Sequence, residues 1–239
     1  MSTRKLKLNW RYAIGEIILI FIGISLAIAF QNWNDNRKEN RQLAGYLSTI
    51  SKNLQSDVVA IEVYGNFRRQ IAKNGQRHME LFLKDSVSLE VFTETSSILG
   101  ESYLRLDMTG FEALKNSGYF SNLQGTEIES SLLEYYQLFN DIHEQEISFN
   151  NFVENMEYRI YNIDSDDLRN FFSASEGLQS GRTSLTRQEQ KAVEIAFNNA
   201  NIIAIMQRAA DLNEPYLSKY DSLKSKAETL IELIDNKIN

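Results

Sequence analysis

Few residues in this chain could do chemistry. Histidine occurs twice, at His78 and His143, and cysteine does not occur. That excludes disulfides, thiolate metal sites and cysteine nucleophiles. A zinc site would need both histidines and carboxylates brought together by folding. His143-Glu144-Gln145-Glu146-Ile147 opens like a zinc-protease helix but lacks the second histidine. Asp164, Asp166 and Asp167 are spaced like the start of a calcium loop, yet Arg169 and Ser175 stand where the loop needs glycine and glutamate. Gly177-Leu178-Gln179-Ser180-Gly181 is not a nucleophile elbow, which brackets its serine with glycines two residues away on each side. Glu144 with Glu146, or Glu154 with Glu157, could pair as acid and base, but spacing alone does not fix their geometry. The expectation is a chain with no catalytic residues, no metal, no cofactor and no enzymatic activity. Both histidines are expected to face solvent or cap helices.

One further carboxylate lies in an apolar setting. Residues 13–30 run Ala-Ile-Gly-Glu-Ile-Ile-Leu-Ile-Phe-Ile-Gly-Ile-Ser-Leu-Ala-Ile-Ala-Phe. At about 1.5 Å per residue this segment spans about 27 Å, close to the roughly 30 Å hydrocarbon core of a bilayer. Trp10 and Tyr12 flank one end and Trp33 the other, as an aromatic belt does. Residues 13–30 are therefore read as a transmembrane helix and 1–12 as a cytoplasmic tail. Residues 31–42 are read as a juxtamembrane linker or helix start. The tail carries Arg4, Lys5, Lys7 and Arg11 without an acidic residue, which favours keeping it inside. The expected location is the inner membrane, with the main domain in the periplasm. A cleaved leader is the rival reading, because Ala27-Ile28-Ala29 offers a small-x-small cleavage site. Glu16 inside the apolar run argues for retention. A membrane carboxylate is costly and is a functional candidate by default. Gly23 and Ala27 share its helix face, and small residues beside a polar group are what associating membrane helices present. Glu16, Gly23 and Ala27 are the candidate interface, toward a second copy or a partner protein.

The remaining residues must fold into elements beyond the membrane. One proline and eleven glycines suit long helices with few turns. Apolar residues recur at three- and four-residue spacing through Leu43, Leu47, Ile50, Leu54, Val58 and Ile61, continuing to Ile71, Met79 and Phe82. Asp85–Ser88 reads as a break, followed by a helix at Leu89–Leu99. A small helix from Thr109 ends at Gly118. Thr126 and Glu129 form a capping box that opens a long helix to about Tyr161. Its stripe includes Tyr135, Phe139, Phe149 and Val153, and its crowded aromatics are read as core. Asn162–Leu185 reads as a loop with a short helix at Leu168–Phe172. Thr186 and Glu189 cap a helix running to about Asp211, and Pro215 starts the last one. The fold class is all-α: a transmembrane helix, then a bundle over 43–239 of about four long helices and two short ones. The net charge of −7 argues against nucleic-acid binding.

Two segments carry a family resemblance. Tyr12-Ala13-Ile14-Gly15-Glu16-Ile17, Gly23-Ile24 and Trp33-Asn34 resemble the amino end of a family of single-pass membrane proteins common in Bacteroidota. Phe111-Glu112-Ala113-Leu114-Lys115-Asn116-Ser117-Gly118, followed by Tyr135-Tyr136, is similar to that family's internal segment. The resemblance implies an inner-membrane anchor and an exported helical domain in a Gram-negative envelope. It implies no activity. Lys115, Asn116, Ser117 and Gly118 form a candidate recognition corner at a helix end, where unpaired carbonyls attract donors. A tight inter-helix turn is the simpler reading.

The functional expectation is a non-enzymatic scaffold or accessory subunit that binds proteins through its anchor and helical domain. The alternative is a ligand-sensing domain that signals through a partner. A minor third is an ion-coupled, stator-like subunit using Glu16.

Overall fold

The computed structural model describes residues 10–84, 97–160 and 165–238. The basic residues Arg4, Lys5 and Lys7, the expected break at 85–88, most of the expected helix at 89–99, Tyr161 and Asp164 lie outside them. Within the described residues the chain is all-helical, with no strand. The helices are α1 (Trp10–Leu83), α2 (Thr109–Asn116), α3 (Glu127–Ile160), α4 (Ser165–Gln179), α5 (Arg187–Phe197), α6 (Ala200–Ala210) and α7 (Glu214–Ile238). Short 3-10 turns at Ser97–Leu99 and Tyr119–Leu123 complete the elements.

Helix α1 dominates the architecture. Its 74 residues make one helix, about 110 Å long at 1.5 Å per residue. Residues 31–42 are helical throughout and exposed. They contain neither glycine nor proline, so nothing interrupts the hydrogen-bond ladder. The nucleation cost is already met by the helices on either side. The side chains there also brace each other along one edge. Phe30 packs on Trp33 with ring centres 5.8 Å apart, and the Arg37 guanidinium lies 5.6 Å from the Trp33 ring centre. Burial begins at Leu43, which is 4% exposed, about 20 Å beyond Phe30.

Above that point α1 is the central helix of the domain. The extended segment after Ser97–Leu99 descends along it, and α2 continues that descent. Helix α3 then climbs beside α1 in parallel, with Tyr135 meeting Asp57 and Glu146 meeting Arg68. Helices α6 and α7 return down the bundle. Arg69 meets Asp221 at 2.5 Å, Glu62 meets Lys224 at 2.7 Å and Ser51 meets Asp235 at 3.0 Å, which fixes α7 antiparallel to α1. The core is the meeting of the predicted stripes. Leu47, Ile50, Leu54, Leu132, Tyr135, Ile142, Leu223, Leu230 and Ile234 are all essentially inaccessible. Close approach of α6 to α1 depends on Gly75. A Cβ there would lie 2.6 Å from the Ala210 nitrogen and 2.7 Å from the Ala209 Cβ.

Two segments differ from the sequence expectation. The helix expected from Thr186 to Asp211 is α5 and α6, separated at Asn198–Asn199. The Asn199 side chain accepts from the Asn201 N–H at 2.8 Å and caps a new helix, so a local side-chain bond outcompetes continuation. The expected loop at 162–185 carries the fifteen-residue helix α4. It packs with α5 around Ala174, Leu185, Val193 and Phe197, a small core of its own. The Thr186–Glu189 capping box forms as expected, with both reciprocal bonds present. Bonds from the Thr186 N–H, Ser173 and Arg182 pull the Glu189 carboxyl down to about 2.

His78 corrects the expectation that the histidines face solvent or cap helices. It continues the apolar stripe of α1, is wholly buried, and packs on Phe197 with ring centres 5.1 Å apart. Among the described residues, neither of its ring nitrogens has a hydrogen-bond partner. Burial pushes its pKa down from 6.5 to about 4. The fold therefore holds the neutral imidazole while the unfolded chain takes a proton below pH 6.5. The stability this contributes is whole above pH 6.5 and is lost as pH falls toward 4. The loss amounts to about 3 kcal/mol. Unfolding of the full chain at pH 7 and at pH 4.5, compared with His78→Leu, measures it. The variant is expected to lose markedly less stability over that interval; equal losses would remove His78 as the cause.

Candidate functional site

The candidate interface occupies the part of α1 that packs against none of the other described residues. Every side chain from Ile14 to Phe30 is exposed, including Glu16, Gly23 and Ala27. The helix is long and apolar enough to cross a membrane. Gly23 and Ala27 fall within about 20° of Glu16 around the helix axis at 100° per residue. A Cβ at Gly23 would meet nothing within 4 Å. The face thus presents a carboxylate, a groove at Gly23 and a shallow step at Ala27, all unoccupied by the chain's own domain.

The candidate recognition corner lies at the same end of the domain as the exposed apolar stretch. Lys115 sits over the Phe111 ring, 5.2 Å from its centre. The Ser117 hydroxyl donates to the Leu114 carbonyl at 2.7 Å and accepts from the Tyr119 N–H at 3.2 Å. Gly118 takes the left-handed conformation at φ 81°, which turns the chain out of α2. Tyr119 then fastens the turn to α1 through Gln42 and packs on Tyr46. The serine's bonding capacity is spent locally, and Lys115 and Asn116 remain exposed.

The carboxylate pairs do not converge as acid and base. Glu144 is exposed while Glu146 is fully buried, so the two point apart. Glu154 is exposed and Glu157 is partly covered; burial, then Glu101 and Glu154, push its carboxyl up. Gly177 leaves room for the Arg182 guanidinium, which ties to Glu189 at 2.7 Å. His143 is half-buried between Phe139 and Tyr103. Among the described residues no three or more His, Asp or Glu side chains gather as metal ligands would.

The domain's strongest polar constellation is one the sequence reading did not single out. Arg68 of α1 and Glu146 of α3 are 1% and 0% exposed, with Nε and Oε1 3.7 Å apart. The Tyr220 hydroxyl donates to Glu146 Oε1 at 2.6 Å, and the Leu104 N–H donates to Oε2 at 2.8 Å. Arg68 Nη2 donates to the Ser102 carbonyl at 2.5 Å, and Asn150 adds a second bond there at 2.9 Å. The Arg68 guanidinium also lies 5.2 Å from the Phe149 ring centre. Tyr216 and Tyr220 share a hydroxyl contact of 2.9 Å, and burial pushes both phenols up. A second set ties the lower part of the same extended segment. The Asp107 N–H donates to Asp57 Oδ1 at 2.9 Å, Asn53 donates to Asp107 Oδ2 at 2.5 Å, and Tyr135 donates to Asp57 Oδ2 at 3.2 Å. Burial pushes the Asp57 carboxyl up, while Thr109 holds that of Asp107 down. These side chains satisfy backbone groups of a stretch without secondary structure, which otherwise could not lie against the core. Their work is to pin that stretch onto α1 and α3.

A signal for them did exist. Arg68 and His78 stand at stripe positions of α1, and Glu146 and Asn150 at stripe positions of α3. Polar residues on an apolar stripe mark a buried network. Comparison with protein-family models, curated proteins and solved structures gives no match for this chain.

Proposed function

We propose that this chain is a single-pass protein of a Gram-negative inner membrane, with its amino terminus in the cytoplasm and its helical domain in the periplasm. It acts without enzymatic activity, as a scaffold or accessory subunit. The anchor face of Glu16, Gly23 and Ala27 binds a second copy or a partner protein, and the domain is held in a fixed orientation to that contact. The observation that carries this reading is the continuity of α1. One helix contains the exposed apolar stretch and the centre of the domain, with no hinge between them. Kinship with the Bacteroidota single-pass family is part of the same proposal. It rests on the Gly15-Glu16, Gly23-Ile24 and Trp33-Asn34 pattern.

The absence of native cysteine makes the test clean. A single Gly23→Cys variant of the full chain is oxidised or bridged in native membranes. A disulfide dimer or a discrete heterologous adduct is expected, and it should weaken when Glu16→Leu is added. A solely monomeric chain in membranes would count against the interface. Labelling of a single cysteine at exposed Ser180 by a membrane-impermeant maleimide in spheroplasts tests the orientation. Protection of that site until lysis would reverse it.

A further inference from the structure

Above the apolar stretch, the end of α7 comes to lie beside α1 near Ala44. Trp33, Arg37, Arg41 and Lys237, with the amides of Asn36 and Asn40, line an open cleft of about 520 Å³. At 100° per residue, the α1 residues of this cleft fall on one arc of the helix. Asp35 and Glu39 fall on the opposite side, so the cleft's cations are not neutralised by the acids of their own segment. On α7, the nearby Asp235 carboxylate is engaged by the Ser51 hydroxyl at 3.0 Å. Three cations thus converge where the sequence is otherwise acidic overall, at net charge −7.

The height of the cleft decides what it meets. Trp33 stands about 4.5 Å, Arg37 about 10 Å and Arg41 about 16 Å beyond Phe30 along the axis. The headgroup layer adds about 5–7 Å to each side of the hydrocarbon core. Side chains on a helix slope toward its amino end, which for α1 is toward the apolar stretch. The structure displays this slope directly, because Arg37 reaches back one turn to lie over the Trp33 ring, 5.6 Å from its centre. Arg41 is placed to do the same one turn higher. Guanidinium groups match phosphate oxygens in paired hydrogen bonds.

We propose that this cleft receives the phosphate headgroup of an anionic phospholipid from the leaflet out of which the domain rises. Trp33 marks the level of the interface. Arg37 reaches down to bind the phosphate and Asn36 offers a donor beside it, while Arg41 and Lys237, higher in the cleft, draw the anionic headgroup by their charge. The proposal rests on α1 being a membrane anchor, and the experiment separates the two claims.

The full chain is reconstituted into phosphatidylcholine vesicles containing a trace of spin-labelled phosphatidylglycerol or spin-labelled phosphatidylcholine. Flotation with the vesicles reports the anchor, and the motionally restricted spin signal reports headgroup preference. The wild-type chain is expected to float and to restrict phosphatidylglycerol preferentially. Arg37→Gln, Arg41→Gln and Lys237→Gln should each lower that preference by up to about fivefold. The combined variant should lose most of it while the basic amino tail is intact. Lys38→Gln removes the same charge from outside the cleft and should leave the preference nearly unchanged. Excess inorganic phosphate should not abolish it, since a free anion lacks the acyl anchor. A chain that does not float overturns the anchor reading and this proposal with it. A floating chain with no phosphatidylglycerol preference overturns the cleft alone. So does a preference lost equally with Lys38→Gln, or one erased by phosphate.

Discussion

Replacing Glu146 with alanine is expected to lower the stability of the domain by about 3–5 kcal/mol. The size follows from what is left behind. Arg68 is 1% exposed and keeps its charge, so without Glu146 it remains buried and unpaired. The Leu104 N–H and the Tyr220 hydroxyl lose their acceptor in the same step. Thermal unfolding of the full chain in detergent, followed by circular dichroism, should show Tm falling by roughly 10 °C. The double variant Arg68→Met/Glu146→Leu removes both charges and fills the space with apolar groups. It should recover much of the loss, because the desolvation cost disappears together with the attraction. It should not recover the protection of the Leu104 amide against hydrogen exchange, since that amide then has no side-chain acceptor. A Glu146→Ala variant within about 1 kcal/mol of wild type would show that the pair does not hold the segment against α1 and α3.

The second large effect concerns phase rather than stability. Inserting two residues between Asn36 and Arg37 rotates everything above by about 200° relative to the anchor face, and lifts it by about 3 Å. Inserting seven rotates it by about 700°, which is 20° short of two full turns. If the anchor contact and the domain contact are made by one rigid body, the two-residue insertion should abolish partner capture from native membranes. The seven-residue insertion should retain most of it. Protein levels and the domain's unfolding transition should be unchanged in both, because Asn36 and Arg37 lie in an exposed part of α1 before its buried stripe begins. Equal capture by both variants would mean that the domain is not oriented through α1.

The bundle was legible in the sequence because its buried stripes obey helical spacing. Leu43, Leu47, Ile50, Leu54 and Ile61 are buried on α1, and Ile128, Leu132, Tyr135, Phe139, Ile142, Phe149 and Val153 on α3. The final stripe holds through Leu217, Tyr220, Leu223, Ala227, Leu230 and Ile234. Gly118 and the Thr186–Glu189 box announced a helix end and a helix start through chemistry that few other residues supply. The aromatics of α3 divide more finely than a stripe suggests. Tyr136 is buried against Phe111 with ring centres 4.1 Å apart, whereas Tyr158 is 78% exposed.

What was not legible depends on long-range partners. Nothing near Arg68 in sequence reveals Glu146, because the two are joined only when α3 folds back along α1. Polar positions 162–185 could form α4 only because α5 offers Val193 and Phe197 to its sparse apolar face. The continuity of α1 is a different case. Residues 31–42 are polar on every side, so they carry no helical stripe, and only the lack of a breaker hints that the helix goes on. Glu16, Gly23 and Ala27 could be placed on one face from spacing. The cleft between residues 33–41 and Lys237 could not, since it exists only because the end of α7 comes to lie beside α1 above them.

The unbroken run of α1 has a mechanical corollary. Most small domains hang from their anchors by a linker, which stretches before any load is felt. Here the backbone hydrogen bonds of one helix run from the apolar stretch to the far end of the domain. Tension applied near Leu83 would pass down a single strut to the apolar stretch. Because α7 lies antiparallel along that strut and is tied to it at several levels, the load would act on their interface in shear rather than peel it open from one end. A force or a twist applied at one end of this helix would therefore reach the other with little slack.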